Sequence, residues 1–299
     1  MVGLPPEVLS RYPRFSLYNS PYTAHDEGCA IDLYPGSDGF RGSDSRVGSE
    51  ATRETSAPSP VAGEVVETRT VTAPRKHYAV AQDYLIVVDT GDYLARMLHV
   101  KPGVEPGNWI EIGDSLGEMV RSGFFAPWVA NHIHLGFRPQ DSNPVRASGS
   151  LPMECPVEIE PLAWDGSGRV VATGDTFVVL DSPTHPAPGE RFVGIAGITG
   201  DETTVLDGGL PHYEGGGALG NRSGCSDSAT DSSDSVSLLN SSVGSADGRT
   251  VTWNDVEIRV NGTPITGLSL FVAREQFGAK LVCPGHDFSA GDSISVSIH

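Results

Sequence analysis

The sequence predicts an all-β protein built of two β-rich domains. Glycine (36) and proline (22) together make about a fifth of the 299 residues, and both disfavour helix interiors while marking turns between short strands. Apolar residues fall in short β-branched runs at hairpin-like spacing, such as 61–71, 78–88 and 93–100. A hydrophobic content of 38% is enough to fill real cores, which excludes wholesale disorder.

The elements follow in chain order. Residues 1–22 carry Pro5, Pro6, Pro13 and Pro21 and read as an extended N-terminal arm. A first domain is expected over 23–147, with strands at 61–71, 78–88, 93–100, 109–120 and 132–137. Within it, 35–60 is nearly devoid of apolar residues and reads as a long polar loop. A second β-rich domain is expected over 150–299, with strands at 157–162, 169–172, 176–180, 191–198, 203–206, 250–260, 269–273, 279–283 and 293–298. The Gly/Ser/Asp-rich stretch 215–249 is expected to be a flexible insertion, because such a composition buries little surface to offset its ordering entropy.

Charge narrows the function classes. Asp and Glu number 38 against 20 Lys and Arg, a net charge of −18, so a polyanion is repelled and nucleic-acid binding is not expected. Only Lys76, Lys101 and Lys280 are lysines. An acidic, lysine-poor surface suits a salt-accumulating, halophilic setting, where molar salt cuts the Debye length to about 3 Å and screens self-repulsion. Residues 1–13 lack a basic segment followed by an apolar run, and no segment reaches the roughly 18 apolar residues of a membrane span, so a cytoplasmic protein is expected. Cys29, Cys155, Cys225 and Cys283 show no C-x-x-C spacing, so neither a disulfide framework nor a zinc knuckle is indicated.

The segment Asn131-His132-Ile133-His134-Leu135-Gly136-Phe137-Arg138 is the most informative. On a strand, alternate side chains share a face, so His132 and His134 point the same way about 7 Å apart at the backbone. That spacing suits a metal ligand beside a catalytic base. Upstream stand Ala30-Ile31-Asp32-Leu33, then Pro60-Val61-Ala62-Gly63-Glu64-Val65-Val66, Tyr84-Leu85-Ile86-Val87-Val88-Asp89, Met97-Leu98-His99-Val100 and Gly113-Asp114-Ser115-Leu116-Gly117. The aromatic residues Trp109, Phe124, Phe125 and Trp128 read as loop or core packing.

In this order the blocks resemble the LytM-like zinc metallopeptidases, the M23 family, over residues 25–139. The resemblance implies a duplicated-hybrid (barrel-sandwich) β fold with one zinc ion in a groove. It also implies Asp32 and His134 as metal ligands, and His132 and His99 as catalytic groups that assist the attacking water and the transition state. The family's first ligand lies four residues before the aspartate, where this chain has Gly28. His25, seven residues before Asp32, is one replacement; loss of that ligand is another, and Cys29 is a third, disfavoured by its strand parity. A three-ligand site with an open position is what hydrolytic zinc requires. The expected function is zinc-dependent hydrolysis of peptide or amide bonds, with a peptide or cell-envelope-like substrate. The alternative is a catalytically inactive binding module of the same fold. Oligomeric state leaves no trace in the sequence.

Overall fold

The structure, a computed structural model, describes residues 1–36, 55–220 and 233–299. It is all-β, as expected, with two four-residue helices at Pro6–Leu9 and Thr23–Asp26 among the described residues. The described residues fall into two compact units, one of residues 1–15, 29–36 and 55–156, the other of 16–28, 157–220 and 233–299. No described helix is long and apolar enough to cross a membrane.

The first unit is organised by an antiparallel sheet. Its strands run in the spatial order Ile31–Tyr34, Ile133–Pro139, Tyr93–Leu98, Gln82–Asp89, Gly63–Thr72 and Trp109–Ile110. Gln82–Asp89 is central, and its run Leu85, Ile86, Val87 and Val88 is buried on both faces, which is why that stretch is continuously apolar instead of alternating. A second sheet places Ser115–Met119 between Ser56–Pro58 and Val100–Pro102. The chain leaves the first sheet at Leu98 and enters the second at Val100, so His99 sits at the switch.

Residues 1–22 are not an extended arm. Val2–Gly3 pairs in parallel with Met153–Glu154, and Leu9, Tyr12 and Phe15 are wholly buried in the first unit. Tyr12 also donates its hydroxyl to the Pro58 carbonyl at 2.8 Å. The prolines start a short helix and punctuate turns between buried apolar residues, so proline count alone misled. The predicted loop 35–60 lies mostly outside the described residues, and its end forms the Ser56–Pro58 strand.

The second unit contains a closed barrel. Phe192–Thr199, Glu202–Leu210, Gly215–Leu219, Thr250–Trp253, Ser241–Asp247 and Asp234–Leu238 pair successively, and the last returns to the first. Glu202–Leu210 extends further through Gly267–Leu270, Lys280–Val282 and Phe177–Leu180. Leu206, Val236, Val243, Val251, Leu268 and Leu281 belong to its one large core.

The stretch 215–249 is therefore not a flexible insertion where it is described, since three barrel strands come from it; residues 221–232 lie outside the described residues. Val236 and Leu238 alternate with Ser235 and Ser237 at period 2, and Val243 and Ala246 are buried on the next strand, a pattern that composition alone conceals. The glycines have a packing reason. A Cβ on Gly216 would fall 2.1 Å from the Trp253 ring and one on Gly217 2.2 Å from the Tyr18 ring.

Candidate metal and catalytic site

Strand register builds the site. His134 is directly opposite Asp32 in the antiparallel pair Ile133–Pro139 and Ile31–Tyr34, and its other neighbour is Leu98, one residue before His99. His132 precedes His134 by two residues on the same face, as its spacing predicts. Asp32, His99, His132 and His134 converge as a result. His134 Nδ1 is 3.0 Å from Asp32 Oδ1, and His132 Nε2 is 3.3 Å from Asp32 Oδ2. The His99 ring centroid stands 5.2 Å from that of His132 and 5.8 Å from that of His134.

The rings are held by apolar walls. Phe125 stacks on His132 at 4.4 Å and meets His99 edge-on at 4.6 Å, and Tyr34 covers His132 at 5.1 Å. The Arg14 guanidinium lies 4.0 Å over the Tyr34 ring, a cation–π contact. Burial above all pushes the His132 pKa down to about 3, against the opposing pull of the Asp32 carboxylate. Its imidazole is therefore neutral at pH 7, with the Nδ1–H donated to the Ala130 carbonyl at 2.9 Å. A neutral ring so oriented turns its Nε2 lone pair toward a carboxylate oxygen. Two acceptors then face each other, an arrangement that favours a cation beside them.

His99 is held by a buried carboxylate. Its Nδ1 is 2.6 Å from Asp83 Oδ2, which also accepts the Ser122 hydroxyl at 2.7 Å, while Asp83 Oδ1 accepts the Tyr84 N–H at 2.7 Å. Burial would raise the Asp83 pKa, but the His99 ring and these three hydrogen bonds outweigh it and hold the carboxyl below its ordinary range. His99 itself has φ +71°, a left-handed conformation that costs a bulky side chain energy.

His25 lies on the Thr23–Asp26 helix and is buried. A carbonyl oxygen only accepts, so the 2.6 Å contact from Nδ1 to Leu17 O places a proton on Nδ1. That is how metal-ligating histidines are commonly oriented. His25 belongs to the second unit, whereas Asp32 and His134 belong to the first.

Residues 3–155 match the family described as "Domain of unknown function (DUF8155) N-terminal domain", and residues 160–299 match "Domain of unknown function (DUF8155) C-terminal domain". The chain belongs to the DUF8155 family. No curated protein matches it. Among solved structures, this DUF8155 chain is similar to the catalytic domain of the antimicrobial peptidase lysostaphin from Staphylococcus simulans. The identity is 17% and the TM-score 0.30, over 49% of this chain and 92% of that one.

The DUF8155 chain carries Gly28 where the M23 pattern has a histidine, and local geometry explains it. The helix Thr23–Asp26 ends there: the Gly28 N–H bonds to the His25 carbonyl at 2.9 Å and Gly28 has φ +62°. Any Cβ at this position would stand 2.6 Å from the Tyr18 hydroxyl. Asp83 and Ser122 had no signal in the sequence, since Asp83 precedes the recognisable apolar block by one residue. Phe125 does pack, as expected of it, but it packs on His99 and His132; Trp109 instead stays 67% exposed. No disulfide joins Cys29, Cys155 and Cys283 among the described residues.

Proposed function

We propose that this DUF8155 chain is a zinc-dependent hydrolase of peptide or amide bonds. The proposed ligands are His25, Asp32 and His134, and the observation that carries the reading is the convergence of Asp32 and His134, 3.0 Å apart, with His132 and His99. The order of M23-like sequence blocks supports it. The donor set fits zinc: two imidazoles and one carboxylate are a combination found in catalytic zinc sites that keep a position open. His25 has its Nδ1–H committed to Leu17, and two acceptors face each other at His132 and Asp32.

Zinc held by these three residues would supply Lewis acidity toward water and a scissile carbonyl. The remaining work belongs to the chain. Neutral His132 keeps its Nε2 beside the Asp32 carboxylate, and Phe125 and Tyr34 pack against its ring. His99, fixed by Asp83, completes the pair of histidines that handle the proton and the developing charge. Buried walls strengthen each of these electrostatic interactions.

The test is incubation of zinc-loaded protein, in molar KCl, with a pool of glycine-containing peptides, followed by mass spectrometry. New amino termini that vanish with a chelator and in His132→Gln support the reading. Zinc binding with no cleavage of any peptide would support the binding-module alternative.

A further inference from the structure

We infer that Asp83 is the positioning residue of the site, fixing His99 in one tautomer so that its Nε2 is the proton-accepting nitrogen; the inference rests on the hydrolase reading above. An ionised carboxylate only accepts hydrogen bonds, so the 2.6 Å contact requires the proton on His99 Nδ1. Asp83 cannot turn away, because it is fully buried and its two oxygens are pinned by Ser122 Oγ and the Tyr84 N–H. Nε2 is then the ring nitrogen that Asp83 does not engage. The ring carrying it packs among His132, His134 and Phe125.

The backbone supports a functional reading over a merely structural one. A buried carboxylate could be satisfied by Ser122, Tyr84 and water without any histidine. Instead the chain holds His99 at φ +71°, between Tyr84 O and Val120 N, to bring its ring to both Asp83 and the cluster. Strain kept at such a point is a recurrent mark of positioned reactive groups. The roles implied by the motif resemblance, with His132 as base and His99 as stabiliser of the oxyanion, are thereby exchanged: His132 already directs its Nε2 at Asp32, whereas His99 has a carboxylate behind it and an acceptor in front.

The test reads the tautomer directly, from ring 15N shifts of histidine-labelled full-length protein, with the His99 signals identified by their loss in His99→Gln. In the wild type, Nδ1 is expected to show a protonated shift and Nε2 an unprotonated one. In Asp83→Asn the amide can donate to Nδ1, so that pattern is lost, and kcat for peptide cleavage falls on the order of 10²–10⁴-fold. KM stays within about twofold and zinc content is unchanged, as for a group acting on the chemical step alone. A wild-type His99 protonated on Nε2 overturns the inference without recourse to any variant that must fold. So does an Asp83→Asn protein with tautomer and kcat unaltered. If the wild type cleaves no peptide yet shows the expected tautomer and its loss in Asp83→Asn, the hydrolase reading fails while the positioning by Asp83 stands.

Discussion

Asp32 and His134 face each other across one antiparallel rung, with His134 Nδ1 3.0 Å from Asp32 Oδ1. Cross-strand partners are separated by about 5 Å at Cβ, so the two side chains proposed as metal ligands are delivered together by sheet register alone. His132, two residues earlier on the same face, is proposed to serve the chemistry and not to hold the metal. His132→Gln is therefore expected to retain full zinc content and to lose at least about 100-fold in peptide cleavage. Zinc analysis and initial rates on the same preparation check both halves.

Gly28 is predicted to be intolerant of any side chain. Its left-handed φ of +62° and the 2.6 Å separation between the Tyr18 hydroxyl and the place a Cβ would take act in the same direction. Gly28→Ala should destabilise the protein by about 1–3 kcal/mol, seen as a lower denaturation midpoint. Gly28→His, which restores the family spacing in sequence, should destabilise at least as much and bind no additional zinc.

Asp207 supplies a pH dependence. It is fully buried and accepts hydrogen bonds from Ser16 Oγ at 2.6 Å and the N–H groups of Leu17 and Tyr18 at 2.7 and 3.2 Å. Burial raises its pKa to about 6, more than these hydrogen bonds and the nearby His25 lower it. A carboxyl whose folded pKa exceeds its unfolded value of about 4 binds its proton more tightly when folded. Its contribution is fully present below pH 4 and is lost as pH rises through 6. Wild-type stability relative to Asp207→Asn should thus fall between pH 4 and 6, by an amount on the order of 2–3 kcal/mol, measured by denaturation at each pH.

Net charge of −18 predicts salt-dependent stability. Raising KCl from 0.1 M to molar concentration shortens the Debye length from about 10 to about 3 Å, so self-repulsion falls and Tm should rise. A Tm that is unchanged or lower in molar KCl would remove the halophilic reading.

Much of the site was legible because it is encoded by local spacing. The H-x-H pair, the acidic residue in an apolar frame and the Leu98-His99-Val100 block each declare themselves within a few residues. What the spacing hid was conformational. A hairpin count places His99 beside Tyr84, yet the left-handed turn at His99 swings its ring to Asp83. Likewise Gly28 stands at the family's ligand position because it caps the Thr23–Asp26 helix, which no fixed spacing describes. In the fold, the all-β class was plain from the glycine, proline and β-branched runs. The barrel strands at 234–247 were not, because Val236, Leu238, Val243 and Ala246 are thinly spread among serines and only barrel closure gives them a core.

The most direct test of a zinc site built on His25, Asp32 and His134 is the zinc content of protein purified in molar salt without chelators, measured for the wild type, His25→Ala and His134→Ala. About one zinc per chain is predicted in the wild type, with loss from both variants. Absence of zinc from the wild type, or full retention in His25→Ala, would contradict that site.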